Sequence, residues 1–174
     1  PGVSVREHLI MAARPNERGE SPWTLERVLD TFPRLGQRIN HDGSFLSGGE
    51  QQMLSIGRAL TTNPDLMILD EATEGLAPLI RDEIWKIIGE IKATGISTII
   101  VDKNIDNLLK IAEKHLLLVK GEVVYSGDSQ GLKDNPSIPT GADTIWMCQF
   151  LDCFSEEEIL KILSTCVKSM DDNT

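Results

Sequence analysis

The sequence predicts an α/β fold with a parallel sheet at its core, and three observations carry that prediction. Two short apolar runs, Leu-Met-Ile-Leu-Asp at 66–70 and Ser-Thr-Ile-Ile-Val-Asp at 97–102, have the length and apolar continuity of buried parallel strands. Between them, Pro78 opens a stretch that sets Ile80, Ile84, Ile87, Ile88 and Ile91 along one helical stripe and closes at Gly95. Helical patterns also precede the first run and follow the second. Helices alternating with apolar strands imply a parallel sheet covered on both faces.

The elements follow in order. Ser4 with Glu7 three residues on is a capping-box start for a short helix in Ser-Val-Arg-Glu-His-Leu-Ile-Met-Ala-Ala. Residues 14–22 read as loop. Residues 24–35 then place Leu25, Val28, Leu29 and Phe32 on one helical face. Residues 49–62 form the next helix, ended by Thr-Asn-Pro-Asp. After the two strands and the isoleucine helix comes a further helix at 104–114. His-Leu-Leu-Leu-Val-Lys-Gly-Glu-Val-Val-Tyr-Ser-Gly, 115–127, reads as a hairpin turning at Lys120-Gly121.

Composition limits the function. A chain of 174 residues suffices for one domain with a core, or a domain with an appendage. Its net charge of −10 argues against nucleic acid as the main partner, because phosphate backbones are held by an excess of Lys and Arg. No apolar run is long enough to cross a bilayer, and no signal-peptide pattern opens the sequence. Cys148, Cys153 and Cys166 fit no zinc spacing and read as reduced thiols.

The chemistry concentrates in two stretches. Ser47, Gly48 and Gly49 stand just before a helix, where unsatisfied N–H groups and the positive end of the helix dipole favour an anion. Glycine there lets a phosphate approach the backbone. The strand at 66–70 then delivers Asp70 and Glu71 at its C-terminal end. Paired acids in that place suit magnesium nucleotide chemistry, with Asp70 ordering the Mg²⁺ shell and Glu71 taking a proton from attacking water.

Together, Leu-Ser-Gly-Gly-Glu-Gln-Gln-Met-Leu-Ser-Ile-Gly-Arg-Ala-Leu (46–60) and Leu-Met-Ile-Leu-Asp-Glu-Ala-Thr-Glu-Gly-Leu-Ala-Pro (66–78) resemble the signature motif, Walker B strand and D-loop of ABC transporter ATPases. Glu-Gly-Leu-Ala-Pro after the acidic pair narrows the resemblance to the ATP-binding subunit of branched-chain amino acid importers, and it covers residues 1–137. The fold implied is a partial P-loop NTPase domain. By the resemblance, Ser47, Gly48 and Gly49 contact the γ-phosphate of ATP held by a second ATP-binding subunit. Asp70 and Glu71 act, with Mg²⁺, on ATP held by their own chain, and Glu74, Gly75, Leu76 and Ala77 form the loop that crosses between the two sites. Lys103 takes the switch position, where many members carry a histidine that touches the γ-phosphate. Gln51 and Gln52 read as helix surface. The resemblance also implies membrane permease subunits as partners and a cytoplasmic location, peripheral at the inner face of the cell membrane.

Two departures qualify it. The phosphate cradle G-x-x-x-x-G-K-[ST] is missing from these residues. The nearest spacing, Gly43 to Gly48, continues Gly49-Glu50 where Lys-Ser/Thr is required, and it is the signature itself. The chain therefore reads as the C-terminal part of an ATPase, inactive alone. The second departure is the stretch 138–174. There Asp-Thr-Ile-Trp-Met-Cys-Gln-Phe-Leu reads as a strand, and Ser155 with Glu158 caps an amphipathic helix. This strand–helix appendage is similar to the late strand–helix unit of S-adenosylmethionine-dependent O-methyltransferases, with Asp152 where that family has a catalytic histidine. The alternative function class is a non-enzymatic remnant of a fused or truncated gene.

Overall fold

A short helix with both halves of its cap in place opens the chain. This computed structural model describes residues 2–119 and 122–134, so the expected Lys120-Gly121 turn and the strand–helix segment at 138–174 lie outside the described residues. Contacts divide the chain into two units, 1–100 and 101–174.

In the first unit, α1 (Val5–Ala12) begins where Ser4 Oγ accepts from Glu7 N–H at 3.3 Å and Glu7 returns to Ser4 N–H at 2.7 Å. Next come α2 (Leu25–Thr31) and α3 (Pro33–Gln37), where the sequence pattern suggested one helix. Pro33 explains the break: it has no N–H to continue α2, and it pushes Phe32 out of helical geometry, to φ −121° and ψ 74°. Proline serves instead as the first residue of α3. The apolar face survives the break, with Val28, Phe32 and Leu35 fully buried and Leu25 and Leu29 half-buried.

These helices converge on α4 (Gly48–Thr61). A Cβ at Gly57 would lie 3.0 Å from Val28 and 3.2 Å from Leu9, so glycine at 57 lets α1 and α2 pack closely on α4. Full burial of Val5, Leu9, Val28, Phe32, Leu35, Met53 and Leu60 contributes about 1.5–3 kcal/mol per side chain. The end of α4 is fixed by Asn63, a left-handed residue at φ 50°. Its side chain accepts from Trp23 N–H at 2.6 Å and donates to Arg14 O at 2.9 Å, which pins the loop between α1 and α2 to the end of α4.

The strands β1 (Leu66–Asp70) and β2 (Ser97–Val101) are neighbours in one sheet. Ser97 N–H donates to Asp65 O at 3.1 Å, which sets the two strands side by side from their starts, in parallel. The crossover is α5 (Pro78–Lys92), with Ile84, Trp85, Ile87, Ile88 and Ile91 buried. The expectation of strands buried on both faces is corrected among the described residues. Met67 and Leu69 are buried, but Ile68 between them is 39% exposed, and Ser97–Ile100 are half-buried. Alternate residues of a strand face opposite sides of the sheet, so one face of β1 is covered and the other is open.

The second unit holds α6 (Ile105–Ile111), β3 (His115–Val119), β4 (Glu122–Gly127) and α7 (Ser129–Lys133). β3 and β4 pair antiparallel as the hairpin expected, with a register shift between Leu117 and Leu118. The short α7 was not foreseen; Asp128 caps it by accepting from Gly131 N–H at 2.7 Å.

Candidate functional site

The N-terminus of α4 is built by the residues the sequence selects. Ser47 is its N-cap, in extended backbone at φ −63° and ψ 160°, and is itself exposed. Gly48 and Gly49 are the first two helical residues, so their N–H groups belong to the set that has no partner inside a helix. The two glycines have different reasons. A Cβ on Gly48 would point into open space, and glycine there keeps the approach to the backbone clear. A Cβ on Gly49 would lie 2.5 Å from Ile80 Cγ2, so Gly49 is required by the packing of α4 against the start of α5.

Glu50 is the residue that sequence reasoning missed. Its Oε2 accepts from Ser47 N–H at 2.8 Å and from the Ser47 hydroxyl at 2.9 Å, while Glu50 N–H reaches back to Ser47 Oγ at 3.4 Å. The other carboxylate oxygen lies 3.7 Å from Arg38 Nε. The hydrogen bond from Ser47 N–H, followed by the Ser47 hydroxyl and the charges of Arg38 and Arg34, holds the Glu50 carboxyl below its usual range. The signal was available, because Ser-x-x-Glu recurs at 47–50 as it stands at 4–7. Gln51, expected at the helix surface, is exposed and donates to Leu46 O at 3.2 Å.

The acidic pair stands at the end of β1, as the sequence predicts: Asp70 closes the strand, exposed, and Glu71 follows it, half-buried. Glu71 adopts the left-handed conformation at φ 46°, uncommon for any residue with a Cβ. Glu74 N–H donates to Glu71 O at 3.1 Å, and the tight turn so formed buries Ala72 and Thr73. Gly75 takes the second left-handed position, at φ 68°, after which Leu76 and Ala77 lead to Pro78 and α5. The loop 74–77 leads into α5, whose Ile80 lies against Gly49 of α4.

The residues present fit a magnesium nucleotide. Among the described residues no group of three or more His, Cys, Asp or Glu side chains forms a metal cage. Mg²⁺ needs none, since it is commonly held by one or two carboxylates together with substrate phosphates and water. Asp70, exposed at a strand end, has the chemistry for that.

Lys103 belongs to the second unit. It is exposed, and it precedes the Asn104 side chain that caps α6 by accepting from Asn107 N–H at 3.2 Å. Asp102 is buried and accepts from Asn104 N–H at 2.8 Å, so the segment is anchored on both sides of the lysine.

Comparisons with known proteins bear on the family and the fold. Residues 1–74, which include the α4 turn and both acids, match the ABC transporter family. The chain is 36% identical over 136 residues to the high-affinity branched-chain amino acid transport ATP-binding protein BraG of Pseudomonas aeruginosa, covering 78% of this chain and 58% of that protein. It is 36% identical over 112 residues to the glutamine transport ATP-binding protein GlnQ of Escherichia coli, covering 64% and 47%. The chain thus spans roughly half the length of these two relatives. Among solved structures, a nucleotide-free ATP-binding cassette from an ABC transporter superposes with a TM-score of 0.61 at 25% identity, over 76% of this chain and 60% of that one.

Proposed function

From a chain that carries ABC transporter ATP-binding domain sequence and has the fold of those ATPase domains, we propose a role in an importer of amino acids, of the branched-chain kind. In this reading Ser47, Gly48 and Gly49 are the surface that closes on the γ-phosphate of ATP held by a second ATP-binding subunit. Asp70 holds Mg²⁺, and Glu71 takes the proton from the attacking water on ATP bound to its own subunit. The loop 74–77 connects the two sites, and Lys103 supplies a point charge toward the γ-phosphate. Permease subunits in the membrane carry the substrate, and the protein works at the cytoplasmic face. Among the described residues no helix is long and apolar enough to cross a membrane. Residues 138–174, set apart as a methyltransferase-like segment, have no part in this role.

One observation carries the proposal: a serine–glycine–glycine helix start and an acidic pair at a strand end stand in the same unit of the fold. General-base groups contribute typically ~10²–10⁴-fold to rate. In a subunit that contains these residues together with a phosphate-binding loop, Glu71→Gln should lower ATP turnover by about that factor while ATP still binds. Ser47→Arg should stop turnover by blocking closure against the partner's phosphate. Full ATPase activity in either variant, measured with permease in vesicles, would overturn the assigned roles.

A further inference from the structure

The cap of α4 places a carboxylate beside the turn that is read as a phosphate site. The Ser47 hydroxyl has a single proton and gives it to Glu50 Oε2, the same oxygen that accepts from Ser47 N–H. A phosphate docking on this turn would use that hydroxyl together with the N–H groups of Gly48 and Gly49. It would therefore meet a resident negative charge at the end of the helix dipole that attracts anions. Glu50 also has a second partner, since its Oε1 faces Arg38 at 3.7 Å.

We infer that Glu50, held by Arg38, is the positioning residue that sets how tightly the Ser47–Gly49 turn takes a phosphate. Before a phosphate arrives, Glu50 keeps the Ser47 proton turned toward itself. On docking, the hydroxyl swings to a phosphate oxygen and Glu50 rests on Arg38, whose charge offsets the repulsion between the two anions. No covalent bond changes and no proton leaves its oxygen. The inference rests on the reading of Ser47–Gly49 as a phosphate site. It differs from a plain helix cap in a way the molecule itself controls for. Ser4 and Glu7 make the same box on α1, with hydrogen bonds of 2.7, 2.7 and 3.3 Å, but Val5 and Arg6 follow where α4 has two glycines.

Sulfate, which stays a dianion near neutral pH, is the probe, titrated into the 174-residue chain while the amide resonances of Gly48 and Gly49 are followed. Glutamine at the third helical position closes the same box without the charge. Glu50→Gln should therefore keep the melting temperature and tighten sulfate binding roughly three- to tenfold, as expected for removing a like charge about 4 Å away across water. Arg38→Gln should weaken binding, and in the E50Q background the same change should cost little, because Arg38 acts through Glu50. Glu7→Gln should leave both amides as they are in the unsubstituted chain. Equal or weaker binding by E50Q, or an Arg38 effect undiminished in its background, would overturn the inference alone. If sulfate moves neither amide in any variant, the phosphate-site reading falls and the inference falls with it.

Discussion

Glu71 stands at φ 46°, a conformation that costs a residue with a Cβ on the order of 1–2 kcal/mol relative to right-handed backbone. Nothing in the sequence marks that position, because the usual sign of left-handed backbone is glycine, as at Gly75 two positions after the buried Ala72–Thr73 pair. The acids themselves were legible, since an apolar run ending in Asp-Glu is visible in one dimension. The conformation that aims Glu71 was not, because it depends on the turn closed by Glu74 N–H. Strain of this kind persists where the surrounding structure fixes it, and it often accompanies function. A pair of substitutions isolates it: Glu71→Ala and Glu71→Gly both remove the carboxylate and its contacts, but only glycine relaxes at this φ. Urea unfolding should show the glycine variant more stable than the alanine variant by about 1 kcal/mol. Equal stability, or an advantage for alanine, would mean that Glu71 is unstrained.

Among the elements, starts were readable where local chemistry sets them, as with Ser4 and Glu7 at α1 and Pro78 at α5, whereas α6 ends at Ile111, short of the 104–114 expected. What failed was tertiary. The half-open β1 reads as a buried run, since periodicity cannot report which face is covered, and the division of α2 from α3 needed the weight of Pro33 against a continuous apolar face. Gly49 shows the same limit. Sequence reads it for phosphate approach, and the Ile80 side chain that lies against it is visible only in three dimensions. Gly49→Ala should therefore destabilise the first unit, by about 1–3 kcal/mol as for overpacking, and Ile80→Ala should recover part of that loss in the double variant. Strictly additive melting shifts would refute the contact. In the second unit, His115 opens β3, is 8% exposed, and bonds through Nε2 with Ser129 Oγ at 2.8 Å, while Ser129 donates to Leu109 O at 3.1 Å. Burial pushes this imidazole below its ordinary value, against smaller opposing effects of Ala112 and Asp128. The unfolded chain then binds the proton more readily, so stability is fully present above the ordinary pKa of about 6.5 and is lost as pH falls below it toward the folded value. Amide protection in α7, taken relative to the intrinsic exchange rate at each pH, should fall between pH 7 and pH 5, and His115→Asn should flatten that dependence. An unchanged pH slope in the variant would remove His115 as its source.

For the molecule as a whole, the decisive quantity is what holds a nucleotide in line. Glu71 can polarise water and Asp70 can order Mg²⁺, but phosphoryl transfer asks little covalent chemistry of a protein and depends on positioning and on charge around the transferred group. Positioning alone can be worth about 7–11 kcal/mol of a barrier. Across these 174 residues the one glycine spacing that suits a phosphate cradle ends in Gly49-Glu50 and lacks the lysine that would reach the β- and γ-phosphates. In the proposed role the same turn meets a phosphate presented by another subunit and not a triphosphate held on its own chain. These residues by themselves should thus carry half of two different sites and complete neither. Purified as they stand, they should release phosphate from Mg-ATP no faster than a Glu71→Gln control, in a coupled assay run over hours. Mixing them with a second ATP-binding subunit should not change that for sites that depend on their own cradle. Steady phosphate release by the chain alone, abolished by Glu71→Gln, would show that some other group in it fixes the phosphates, and the division of labour assigned to Ser47, Asp70 and Glu71 would have to be redrawn.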